Sequence, residues 1–242
     1  VQLSNLGIGD LDQIGKLNWL CNDLGLDSIE VGGALGVAAE AGQAKFGSYA
    51  DFENILKEIY RGSLLGRLVG MGAAICGKVL GIERIPVVKN QTISAYDPRG
   101  VKGTGITFAT TPMGADHTAG LTVFFPVDHH SKEGQLEISR KSQIQRSGYD
   151  CMGLCAFLTS ATGQTPDVIV DMVNALYGTE LTVDAWNELA LETIKNEINY
   201  NRAAGLGKET DRLPEFFKKE TLAPFNLTWD VEDEELDSMF IN

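Results

Sequence analysis

The chain has no apolar run approaching the roughly 18 residues that a membrane-spanning helix needs, and no charged-then-apolar start of a secretory signal. It has no surplus of positive charge: 20 Lys and Arg stand against 33 Asp and Glu, a formal net charge of −13 at pH 7. A nucleic-acid surface needs the opposite sign, so that partner class is excluded. Cysteine is sparse. Cys21, Cys76, Cys151 and Cys155 are scattered rather than laid out as a disulfide framework, which fits a reducing, cytoplasmic setting. Histidine occurs only three times, and strand-like alternation is scarce.

What is present is a chain of 242 residues, 43% hydrophobic, long enough to bury a substantial core. Helical spacing dominates it. Asp10 is a candidate N-cap for a helix to about residue 24, with Leu11, Ile14, Leu17 and Cys21 on one stripe. Asp27 or Ser28 can start a second helix over 29–41, and a third is expected over 51–60. An apolar helical run over 64–80 carries Gly66, Gly70, Gly72 and Gly77. A glycine inside a helix costs about 1 kcal/mol, so close approach of another helix or of a flat cofactor is the expected reason.

Residues 85–120 are broken by Pro86, Pro98, Gly100, Gly103, Gly105, Pro112 and Gly114 and read as loops, the usual place for functional residues. Beyond them a helix begun near His117 is expected to extend over 121–127. Further helices are expected over 135–147, from Thr165-Pro166-Asp167 to Gly178, and over 182–204. Residues 155–161 read as a short apolar segment, 212–229 as an ordered tail laid on the surface, and 232–240 as a short acidic helix. The prediction is a mainly α chain: two helical lobes, 1–95 and 96–242, joined by an irregular loop-rich tract.

Two hexapeptides share one pattern. Asn22-Asp23-Leu24-Gly25-Leu26-Asp27 and Asp150-Cys151-Met152-Gly153-Leu154-Cys155 each run Asx, two variable residues, Gly-Leu, then an acid or a Cys. A carboxylate accepts a pair of adjacent N–H donors such as a purine-like or pterin ring presents. Glycine lets backbone approach a ligand, and a thiolate is the soft ligand of iron–sulfur clusters. The same Asn22, Asp23 and Asp150 would serve as helix caps, and Cys155 as a small buried apolar residue. Cys151 reads as structural or ligand-adjacent, Cys21 and Cys76 as core.

His117, within Gly114-Ala115-Asp116-His117-Thr118, is either a proton carrier near neutral pH or a loop histidine without a role. Asp116 is placed to orient it. His129 and His130 read as solvent-exposed. Asp97-Pro98-Arg99-Gly100 offers an anion contact through Arg99 or an ordinary turn. Lys102-Gly103-Thr104-Gly105 lacks the spacing of a phosphate loop and is set aside.

The two hexapeptides resemble the pterin-binding loops of the tungsten-containing aldehyde ferredoxin oxidoreductases. The resemblance continues through Ser28-Ile29-Glu30, Ser94-Ala95-Tyr96-Asp97-Pro98-Arg99-Gly100 and Pro112-Met113-Gly114-Ala115-Asp116-His117-Thr118-Ala119-Gly120, in the family's order and over nearly the whole chain. It implies the C-terminal part, domains 2 and 3, of such an enzyme, with an N-terminal domain and three further cluster cysteines upstream of Val1. It implies interconversion of aldehydes and carboxylic acids at tungsten (or molybdenum) held by two pterin dithiolenes. A [4Fe–4S] cluster would pass the electrons to ferredoxin or another iron–sulfur carrier.

On this resemblance Asn22, Asp23, Gly25, Leu26 and Asp27 contact one pterin, and Asp150, Gly153 and Leu154 the other. Cys155 becomes the fourth cluster thiolate and His117 lies beside the metal. Both cofactors would be shared with the upstream part, so this chain alone is expected to be inactive. Many relatives carry a further aromatic and arginine-containing segment after the position of Asn242, which suggests a divergent subgroup. Other tungsten enzymes on the same scaffold, such as a ring or acyl-thioester reductase, remain an alternative. A non-catalytic scaffolding domain ranks lower, because it would be expected to lose Asp150, Cys155 and His117.

Overall fold

Short polar residues start the first helices of the computed structural model, which describes residues 2–240. Asp10 caps α1 (Leu11–Asp23), Asp27 caps α2 (Ser28–Glu40) and Ser48 caps α3 (Tyr49–Arg61). Each side-chain oxygen accepts backbone N–H groups that the helix leaves without partners. Leu6, Leu17, Leu35, Phe52 and Leu56 bury the apolar faces against one another as the first lobe's core.

The run over 64–80 divides at Gly72 into α4 (Leu64–Gly70) and α5 (Ala73–Leu80). A Cβ at Gly66 would lie 2.1 Å from the Glu58 carbonyl oxygen, so the backbones of α3 and α4 meet directly. Helix packing is the reason for that glycine. Glu30 ties α2 both to α5 and to the strands beyond it. Its carboxylate accepts from the Ala73 N–H at 2.8 Å and from the Thr92 N–H and hydroxyl at 2.8 and 3.0 Å. Thr92 belongs to the antiparallel pair β1 (Val87–Val88) and β2 (Gln91–Thr92), the one sheet among the described residues.

The tract over 85–120 departs from the all-loop expectation. Within it α6 (Lys102–Thr110) is a regular helix whose every residue is buried. Its glycines and β-branched residues make it a poor helix in isolation, and packing on all sides overrides that propensity. The lack of a side chain at Gly105 lets the Trp229 ring close in, to 2.5 Å from where a Cβ would stand. Lys102 bonds the Thr228 carbonyl at 2.9 Å and the Asp230 carboxylate, a structural tie far from phosphate binding.

Residues 121–127 form no helix. His117–Ala119 is a single 3-10 turn, ended where Gly120 presses against Gln143, and Pro126 removes a backbone donor just beyond. The next helix, α7 (Gln135–Cys151), runs past its expected end at 147. A 3-10 turn (Ala156–Leu158) and α8 (Thr159–Thr162) fill the short apolar segment. Then α9 (Asp167–Tyr177) stops at Gly178, as spacing predicts, and α10 (Val183–Ala203) fills the helix expected over 182–204, with the Thr182 hydroxyl as its N-cap. Tyr149 and Trp186 anchor the core between these helices.

The tail is not merely laid on the surface. Leu213, Phe217, Trp229, Leu236 and Met239 are buried with Ile106 and Phe108 of α6, so the tail, with α11 (Phe216–Lys219) and α12 (Asp233–Asp237), closes that core. Arg99 completes the closure: it pairs with Asp97, donates to the Glu220 carbonyl at 2.9 Å and lies 5.2 Å from the Phe217 ring centre. The chain is thus mainly α, two helical lobes with a loop-rich tract between them. No helix among the described residues is long and apolar enough to cross a membrane.

Glu30→Ala strands an N–H on α5 and another on β2. The expected loss is about 2–4 kcal/mol, read as a lower denaturant midpoint; a loss under about 0.5 kcal/mol would show that Glu30 is not the tie.

Candidate functional site

The two hexapeptides fold into the same backbone. At the end of α1, Gly25 takes a left-handed φ of +68°, the Leu26 N–H donates to the Cys21 carbonyl at 2.9 Å, and the Gly25 N–H donates to the Asn22 carbonyl at 3.1 Å. At the end of α7, Gly153 takes φ +66°, Leu154 donates to the Tyr149 carbonyl and Gly153 to the Asp150 carbonyl, both at 2.9 Å. This is the Schellman helix ending, whose left-handed position glycine takes without strain. The sequence repeat is therefore a structural repeat, in which Asn22 matches Asp150 and Asp27 matches Cys155.

The last residue is where the copies part. Asp27 accepts from the Ile29 and Glu30 N–H groups at 2.7 and 2.8 Å and so caps α2. Cys155 has nearly the same backbone (φ −65°, ψ 137° against φ −66°, ψ 120°), yet its side chain caps nothing and its thiol is free and exposed. Within this chain Cys155 is therefore not the buried apolar residue of the alternative reading. Cys21 and Cys76 are fully buried, as their helical spacing predicts, and burial, helped by Asp27, pushes the Cys21 thiol up to about 11.

Asn22, Asp23 and Asp150 are not caps either. They stand in the last turns of their helices, where a negative side chain meets the negative end of the helix dipole, an unfavourable contact of roughly 0.3–1 kcal/mol. The Asp150 carboxylate makes no hydrogen bond among the described residues. Burial raises its pKa; Arg146 opposes the rise and Asp116 adds to it.

Asp150 opens on a cavity of about 240 Å³ between α7 and α10, lined also by Met113, Gln143, Ser147, Cys151, Thr193 and Glu197. Burial, and then the Asp150 charge, raise the pKa of Glu197. The sequence reading missed Glu197 and Gln143. The available signal was that Glu197 lies one helical turn after Thr193, along the apolar stripe of α10.

His117 stands on the 3-10 turn that packs on α7, its ring 5.7 Å from that of Tyr96. Asp116 does not hold it: the carboxylate is 3.8 Å from Nδ1 and accepts instead from the Thr118 N–H and hydroxyl, both at 2.7 Å. His130 is exposed as expected, whereas His129 is half-buried with an unpartnered Nδ1. The turn of His117 and the second loop thus share α7. The first loop stands on the other lobe, and no hydrogen bond or ion pair among the described residues joins the two loops.

No three His, Cys, Asp or Glu side chains converge on a metal position among the described residues. What the second loop offers is two free thiols, Cys151 beside the Thr193 hydroxyl and Cys155 facing solvent, and one unpaired carboxylate. Cys155 fits a single ligand to a cluster completed elsewhere, and the carboxylate an acceptor for ring N–H groups.

Residues 3–240 match the family model described as aldehyde ferredoxin oxidoreductase, domains 2 and 3. The chain belongs to the aldehyde ferredoxin oxidoreductase family. Tungsten-containing aldehyde ferredoxin oxidoreductases of Pyrococcus horikoshii and Pyrococcus furiosus are each 27% identical to it over 90% of this chain. An aliphatic sulfonate oxidoreductase, WOR-like subunit, of Pyrococcus furiosus is 26% identical over 79% of it. The chain spans 40% of the length of the two aldehyde oxidoreductases and 32% of the third relative. It corresponds to the C-terminal part of the family's enzymes.

The unlike ends of the two loops should differ in what they give to stability. In denaturant melts of the cofactor-free chain, Asp27→Ala is expected to cost about 1 kcal/mol, while Cys155→Ser changes stability by less than about 0.5 kcal/mol. Asp150→Asn is expected to gain about 0.5 kcal/mol near pH 7. Because burial puts the folded-state pKa of Asp150 above its unfolded value, its charge weakens the fold only once pH exceeds the ordinary carboxylate range. The gain should therefore shrink in urea melts taken at about pH 4.

Proposed function

We propose that this chain is the C-terminal part of a tungsten (or molybdenum) pterin oxidoreductase that interconverts aldehydes and carboxylic acids. Electrons would leave through a [4Fe–4S] cluster to ferredoxin or another iron–sulfur carrier. The observation that carries this reading is the repeated helix ending, one copy of which keeps a free thiol where the other caps a helix. When bound, the metal centre accepts the substrate's two electrons and the cluster relays them singly.

The chain's own residues bind and orient. Asp150 accepts neighbouring N–H groups of one pterin ring, as an ionised carboxylate suits. Asn22, with Asp23 and Asp27 in the same loop, serves the other ring through an amide that both donates and accepts, so the two rings are held differently. Gly25 and Gly153 leave room for that approach, with no atom within 4 Å of where a Cβ would stand. Leu26 and Leu154 turn backbone carbonyls to the rings. Cys155 supplies one cluster thiolate, and His117 holds or releases a proton at an imidazole nitrogen beside the substrate. The other cluster ligands and the opposite side of both pterin sites belong to the rest of the enzyme, so this chain by itself does not turn over substrate. Its free thiols suit the reducing cytoplasm.

A second reading is favoured by the sulfonate oxidoreductase subunit, nearly as similar as the aldehyde enzymes: the same loops could serve a different substrate.

The test uses the complete protein purified without oxygen from its native host. Cys155→Ser is expected to lose cluster iron and the paramagnetic signal of the reduced cluster, while the melting temperature of the unloaded protein stays at the wild-type value. Iron retained at the wild-type level would sink the thiolate assignment. His117→Asn should keep both metals and lose turnover by about 10²–10⁴-fold.

A further inference from the structure

The walls that α7 and α10 give to the cavity beside Asp150 offer lone pairs and almost no protons. The Ser147 hydroxyl donates to the Ala190 carbonyl at 3.0 Å, and the Thr193 hydroxyl to the Leu189 carbonyl at 2.9 Å. Gln143 directs its amide N–H groups to the hydroxyls of Thr110 and Ser139, at 2.9 and 3.2 Å. Its Oε1 is left buried without a partner, on a side chain that is 2% exposed and lines the cavity. Among the side chains that these two helices give the cavity, the Cys151 thiol is the remaining weak donor, and it lies 3.4 Å from the Thr193 oxygen.

Asp150 and Glu197 add two carboxylates from opposite helices. Each is open to solvent on one side, and burial on the other makes its charge unfavourable without a donor. The helices are braced, since the Trp186 indole N–H donates to the Gly148 carbonyl at 2.8 Å, so the two walls keep their spacing. Outward, the cavity continues past Met113 and Thr193 to Asn196, Tyr200 and Asn201, which leaves an entrance from solvent. An acceptor-rich, single-ring-sized chamber of this kind suits a flat ligand rich in N–H groups: an amidine, a guanidine or an aminopyrimidine.

We propose that Glu197 is a second carboxylate for the N–H edge of the pterin ring, acting from α10 opposite Asp150 on α7. This rests on the reading that the second loop holds a pterin. Asp150 and Glu197 divide the ring's donors between two helices, which fixes the ring's orientation as well as its presence. Gln143 Oε1 is a further acceptor behind them.

The test is made on the complete enzyme purified anaerobically, with pterin released by oxidation and measured by fluorescence beside tungsten per chain. Glu197→Gln keeps the shape and replaces an acceptor-only group by an amide. Pterin and tungsten content are expected to drop, with affinity lost on the order of tenfold, while the melting temperature of the unloaded protein holds or rises. Glu197→Asp should recover part of the loading. Asp150→Asn is the control for the loop itself. If Asp150→Asn loses pterin and Glu197→Gln keeps it in full, the role of Glu197 is overturned and the loop reading stands. If neither variant loses pterin, the loop reading fails and takes the role of Glu197 with it. If Glu197→Gln both melts early and loses pterin, Glu197→Asp decides, since unrecovered loading overturns the proposal.

Discussion

A short helix made mostly of threonine and glycine holds together only while everything around it stays closed. In α6 each polar side chain finds a partner inside the protein: Lys102 at the tail, Thr107 at the Gly120 carbonyl and Ser139, Thr110 at the Ile106 carbonyl and Gln143. An unpaired polar group in that position would cost about 1–3 kcal/mol, so the surrounding pieces are not free to drift. The tail must cover Gly105 with Trp229, α7 must present Ser139 and Gln143, and the turn after His117 must bring Gly120 against α7. The positions of Asp150 at one end of α7 and of His117 on its flank both result from this burial. The candidate site is an extension of that core.

The paired loops show how one backbone device can be used in two ways. A Schellman ending needs a glycine at its left-handed position and little else. The position after the Gly-Leu pair is open to choice, and here one copy uses a carboxylate to start the next helix while the other leaves a thiol in solvent. Asp150, meanwhile, sits at the end of a helix that repels it and beside a second carboxylate. Features that work against local stability without a compensating contact are where function is expected to lie. The second loop and the adjoining cavity collect three of them: an exposed thiol, an unpaired carboxylate and a buried amide oxygen without a partner.

The family assignment fits this picture and also bounds it. Matching residues run from one end of the described chain to the other, yet they amount to well under half the length of the aldehyde oxidoreductases. The exposed Cys155 thiol and the unpaired Asp150 carboxylate stand on a chain that spans 40% of those enzymes' length.

Much of this was open to a reader of the sequence. The hexapeptide repeat, the N-caps at Asp10 and Asp27, the stop at Gly178 and the buried Cys21 and Cys76 are local: a helix end depends on a glycine or a capping oxygen within a few residues, so spacing suffices. The resemblance rested on the same short runs. What spacing could not settle were the features created by distant neighbours. Helix α6 forms against its own propensity because Trp229, more than a hundred residues away, packs on Gly105. Arg99 turns inward because Asp97, Glu220 and Phe217 meet there, and Glu197 joins the site only because α10 lies across α7. Local chain geometry was written in the sequence; which polar groups ended up paired, and which were left unpaired, was decided by packing.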